Sequence, residues 1–140
     1  MIGLIFWSLA VIACLYAALA GGKDGQWAAA LILLAAVLTI PASRMGTAFG
    51  KLELAVLVVD LGLFVGLFGL ALKSKRWWPV WMAGFQLIAV ATHLGAALAP
   101  SFVSKIYFAA SAFWAIPIMV AMVAGIARDQ HFKALRRRAR

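Results

Sequence analysis

The sequence predicts an all-α protein, a bundle of five helices that cross a membrane. Three observations lead there. Of the 140 residues 66% are apolar and only 12% charged, against about 25% charged in soluble domains. Apolar runs recur along the whole chain, and the polar breaks between them are too short to hold a folded extramembrane domain. The formal charge is +9, yet the basic residues gather at the ends of apolar runs and in the C-terminal tail. That is the pattern of membrane orientation and not of a nucleic-acid footprint, so no nucleic-acid partner is expected.

The first span is expected over residues 1–20. Ala18-Leu19-Ala20 resembles a signal-peptidase site, but no Lys or Arg precedes the run, so the segment is expected to be retained. Its Cys14 is the single cysteine, which excludes an intrachain disulfide and a cysteine-based zinc site, and it reads as a small packing residue. The second span, 27–40, is short: its 14 residues reach about 21 Å before Pro41, against about 30 Å of hydrocarbon, so it is expected to tilt or to be re-entrant. The third covers 52–72, the fourth 77–99 and the fifth 102–127, with Pro117 expected to kink the last. Turns are predicted at 21–25 and 73–76, a longer loop at 41–50, and almost no loop at 99–101. Such short connections imply antiparallel neighbours.

Five spans put Arg44, Lys51 and Lys105 on one side and Lys23, Lys73, Lys75, Arg76 and the six basic residues of the tail on the other. The positive-inside rule then places the N-terminus outside and the C-terminus in the cytoplasm of a cell, on the pattern of a bacterial inner membrane. Trp77, Trp78 and Trp81 follow three basic residues and read as an interfacial anchor. The tail, 128–140, with Arg136, Arg137, Arg138 and Arg140, reads as a contact for an anionic leaflet or an acidic partner.

Two acids stand in the third span. An acidic side chain there costs about 2.5 kcal/mol or more unless it meets a partner or a watery cavity. Glu53 and Asp60 are seven residues apart, so they share a helix face to within about 20°, whereas Gly62, Gly66 and Gly69 lie roughly 160–220° away. The glycine face suits helix packing or dimerisation. The fourth span carries Gln86 and His93 at the same spacing, and an antiparallel hairpin turning near Ser74 and Lys75 brings Asp60 level with residue 90. Tyr107, Ser111 and Trp114 share a face of the fifth span at similar depth. The sequence therefore predicts a polar pocket of Glu53, Asp60, His93, Tyr107 and Ser111, floored by Gln86 and Trp114. The plainer alternative is that Asp60 and His93 only fasten two helices in register.

A Walker-type loop, a nucleophile elbow and His-Glu-x-x-His are all missing, and the histidines, His93 and His131, are too far apart in depth for an intrachain haem. No enzyme activity, metal or cofactor is expected. The size, the lack of a catalytic motif, the two-faced third helix and the basic tail suggest an accessory or assembly subunit of a larger membrane complex. Two alternatives are a small proton- or cation-coupled transporter, working as a homodimer through Asp60, Glu53 and His93, and a binder of a quinone, carotenoid or other lipid-like molecule against Trp114, Tyr107 and Phe113.

Overall fold

A chain dominated by Ala, Leu, Val, Ile and Phe, with polar residues confined to short breaks, satisfies its backbone by forming helices, because each helix closes its own hydrogen bonds. The computed structural model describes residues 2–44, 49–98 and 104–139, with side chains described for 4–41, 54–95, 98 and 113–139. These residues form α1 (Ile2–Ala20), α2 (Gly22–Arg44), α3 (Phe49–Lys73), α4 (Trp78–Leu98) and α5 (Ser104–Arg138). Among the described residues there is no strand. Two stretches, Gly22–Pro41 and Leu54–Lys73, are long and apolar enough to cross a membrane.

The second helix is longer than its apolar run implies. Gly21 and Gly22 alone reverse the chain, Gly22 at φ +65°, so Lys23, Asp24 and Gly25 become the first turn of α2 instead of a loop. Twenty-three residues at about 1.5 Å each exceed the hydrocarbon thickness. The helix also runs through Pro41 to Arg44. α5 likewise continues without a break through Pro117 and through residues 128–138, so the basic tail prolongs the last helix.

Each helix packs on the next in chain order, and α5 returns to α1, closing a ring of five. Neighbours along the chain are antiparallel; the closing pair is parallel. The buried apolar residues lie toward one end of this ring, where Lys23, Lys73, Lys75, Arg76 and the tail also stand. There Ala13, Cys14 and Ala17 of α1 meet Ala28 and Ala29 of α2, Leu67 of α3, Trp78, Met82 and Ala83 of α4, and Ile118, Met122 and Ile126 of α5. Small residues set the spacing. A Cβ on Gly25 would stand 2.2 Å from the Ala17 carbonyl oxygen, and one on Gly125 would stand 2.2 Å from Cβ of Trp78.

A polar clasp ties the same end. Arg76, in the α3–α4 turn, donates from Nη1 to the Gly21 carbonyl at 3.0 Å. Its guanidinium pairs with Asp24 at 3.5 Å and Asp129 at 3.3 Å. Ser74 donates from Oγ to Asp24 at 2.8 Å and accepts the Arg76 amide at 3.1 Å, while Gln130 of α5 donates to the Ala20 carbonyl. One arginine thus joins the α1–α2 turn, the α3–α4 turn and α5, and its planar fork suits two carboxylates and a carbonyl at once.

The glycine face of α3 divides. Gly66 receives α2, with Leu31 Cδ2 only 2.7 Å from where a Cβ would stand, whereas a Cβ at Gly62 or Gly69 would meet nothing within 4 Å. Replacing Gly125 by Ala forces α4 and α5 apart and is expected to cost about 1–3 kcal/mol, as overpacking does. Gly62→Ala, in open space on a helix, is expected to be neutral or to add about 0.5–1 kcal/mol. Thermal unfolding of the two variants in one detergent checks the contrast.

Candidate functional site

Away from the basic end the ring does not fill. Alanines at cavity-facing positions of α1, α2, α4 and α5 leave space between the helices, and the result is a cavity of about 500 Å³. Every helix contributes to its wall: Trp7 and Ala10 from α1, Ala35 and Thr39 from α2, Asp60 and Leu63 from α3, Gln86, Ala89 and His93 from α4, and Trp114, Ala115 and Ile118 from α5. Beyond Ile118 the packed core and the Arg76 clasp seal the ring.

The polar groups stand together on the α3–α4 side. The α3–α4 turn sets the hairpin register, so Asp60 falls between Gln86 and His93, one helical turn from each. His93 Nε2 lies 2.6 Å from Asp60 Oδ2. Gln86 Nε2 donates to the other carboxylate oxygen at 3.2 Å and to the Asp60 carbonyl at 3.1 Å. Gln86 and His93 are almost wholly buried, but the Asp60 side chain keeps 22% of its surface exposed. The carboxylate is held by two α4 side chains that line the cavity beside it. Thr39 spends its hydroxyl proton on the Ala35 carbonyl at 2.8 Å, the usual back-bond of a helical threonine.

Of the residues expected in the pocket, Asp60, Gln86, His93 and Trp114 line one cavity. Gln86 is a direct partner of Asp60 and not a floor beneath it. The side chains of Glu53, Tyr107 and Ser111 lie outside the described residues, as does Arg140. Phe113 is exposed, its ring edge-on to Trp114. The tryptophan cluster separates. Trp78 is fully buried against Gly125 and belongs to the core, so it is not part of an outward anchor. Trp77 and Trp81 face outward, and Arg128 lies over the Trp77 ring at 5.6 Å. Arg136, Arg137 and Arg138 are exposed on the last turn of α5.

Two groups escaped the sequence reading. Phe6, Trp7 and Thr39 complete the cavity wall, but on apolar helices nothing local distinguishes an inward ring from an outward one. Asp24, Ser74, Arg76 and Asp129 form the clasp; the signal for it was that Asp24 and Asp129 are the acids among the ten basic residues of that end. Compared with known proteins, the chain matches no family model, no curated protein and no solved structure.

Gln86→Leu removes two hydrogen bonds to Asp60 while keeping the side-chain volume. It is expected to lower stability by about 1–3 kcal/mol, since a buried acceptor is left without its donor. Asp60→Leu removes the carboxylate from both His93 and Gln86 and is expected to cost more. Melting of the two variants beside the native protein checks the order.

Proposed function

We propose that this chain is a small multi-pass membrane protein whose five helices all cross the bilayer and enclose a binding site for a small, mostly apolar molecule with one polar group. Helices of 19 to 35 residues are each about as long as the hydrocarbon core is thick, or longer. Their outer surfaces carry exposed Leu15, Leu34, Leu54, Val65, Leu87 and Ile116, an apolar coat that a soluble protein does not display and lipid covers. The orientation follows the basic end, which faces the cytoplasm under the positive-inside rule.

The observation that carries the binding reading is the position of Asp60. Had Asp60, Gln86 and His93 met in a dry seam, they would be a fastener and nothing more. They stand instead in the wall of a cavity of about 500 Å³, within the size range of small-molecule sites, whose usual make-up is an apolar lining with a few convergent polar groups. The expectation of an accessory subunit rested on size, the lack of a catalytic motif, the two-faced third helix and the basic tail; an interior site supports a task for the chain itself. A second reading, a carrier coupled to protons or cations, is favoured by the sealing of the ring at the basic end, since a carrier presents its site to one side at a time. In that case Asp60→Asn and His93→Ala abolish pH-dependent flux in proteoliposomes.

Solvent extraction and mass spectrometry of the purified protein test the binding reading. A lipid-like molecule near one per chain is expected from the native protein, and it is expected to be lost from Ala89→Phe, which projects a ring into the cavity from α4. Identical extracts from the native protein and the variant would overturn it.

A further inference from the structure

The chain is strongly basic, but the described lining of its cavity holds an acid and no Lys or Arg. The protein carries +9 overall, with thirteen Lys and Arg, yet among the described residues the ionisable side chains lining the cavity are Asp60 and His93, with no Lys or Arg. A carboxylate set in an apolar wall is a costly arrangement unless hydrogen-bond donors or positive charge join it. A carboxylate offers about four lone-pair positions. Here one oxygen takes His93 and the other takes Gln86, and the side chain, 22% exposed, lines the cavity.

The rest of the lining matches the same chemistry. Phe6 and Trp7 of α1 and Trp114 of α5 bring three aromatic rings into the wall, and aromatic faces attract a cation that has been stripped of water. A neutral ligand gains at most a hydrogen bond from the carboxylate, a cation gains the Coulomb attraction as well, and an anion is repelled by it. The space that remains is walled by alanine and aliphatic side chains, which suits a hydrocarbon or aryl body.

Resting on the binding reading above, we propose that the cavity takes an amphiphilic cation, an alkyl- or aryl-substituted ammonium or similar onium ion, with Asp60 as counter-ion, Gln86 and His93 as the residues that position its carboxylate, and the aromatic wall around the charged head. His93 and Gln86 fix the position of the carboxylate from the cavity wall. Recognition is by charge and shape, without a covalent step.

Tetraphenylphosphonium and tetraphenylborate, alike in size and shape and opposite in charge, supply the test. Each is titrated into the full-length protein in a neutral detergent, by calorimetry and by quenching of tryptophan fluorescence, with empty micelles subtracted. The protein's overall positive charge favours the borate, so a preference for the phosphonium has to come from the site. The phosphonium is expected to bind at least tenfold more tightly than the borate, to lose at least tenfold in Asp60→Asn, to recover in part in Asp60→Glu, and to be excluded by Ala89→Phe. Melting curves of the variants confirm that they fold. Equal affinity for the two ions, or an unchanged phosphonium affinity in folded Asp60→Asn, overturns the cation assignment. If both ions bind equally and Ala89→Phe blocks both, the cavity still binds ligands and only the charge assignment fails. If neither ion binds the native protein, the cation assignment also falls, and the co-purifying molecule alone decides the binding reading.

Discussion

A carboxylate in so apolar a chain has to find a partner, and among the described residues the fold is arranged around two places where that happens. The chain has four acidic residues, and three of them are paired across helices: Asp24 and Asp129 with Arg76, and Asp60 with His93. Each pairing joins segments far apart in the chain. The Arg76 clasp holds the basic ends of α1, α2 and α5 to the α3–α4 turn. The Asp60 cluster holds α3 to α4 farther along the hairpin. In water such pairs contribute little, but in a low-dielectric setting the alternative is an unpaired charge, so they constrain which helix faces meet.

Between these two knots, side-chain size decides what the ring encloses. At the basic end Ala17, Gly25, Ala28 and Gly125 let backbones approach until Trp78, Met82, Met122 and Ile126 fill the centre. Away from that end alanines of four helices face a cavity that Asp60 also lines. The functional reading follows from this asymmetry. One half is filled by side chains, and the other leaves a cavity at Asp60.

Parts of this were legible in the residues alone. The helical class follows from hydropathy, because a chain this short of polar side chains satisfies its backbone most readily within helices. The pairing of Asp60 with α4 followed from turn position and rise per residue, since a hairpin pivoting at Ser74 brings residue 60 level with residue 90, between Gln86 and His93. The start of α2 was not legible: Lys23 and Asp24 look like loop until Gly22 takes a positive φ and frees them to open the helix. Trp78 looked like its neighbours Trp77 and Trp81, and only the close approach of Gly125 distinguishes it. The glycines of α3 looked equivalent, yet Leu31 of α2 sits on one of them and not on the others.

What the sequence by itself determined is the set of helices, their approximate depth relationships and the need for Asp60 to be partnered. These follow from periodicity, rise per residue and solvation, which are local or additive quantities. What only the tertiary structure decided is the closing of the ring between α5 and α1, the clasp at Arg76 and the cavity in front of Asp60. Those depend on which faces of five helices turn inward together, and a uniformly apolar helix carries no stripe to announce its inward face, so that choice is made by packing.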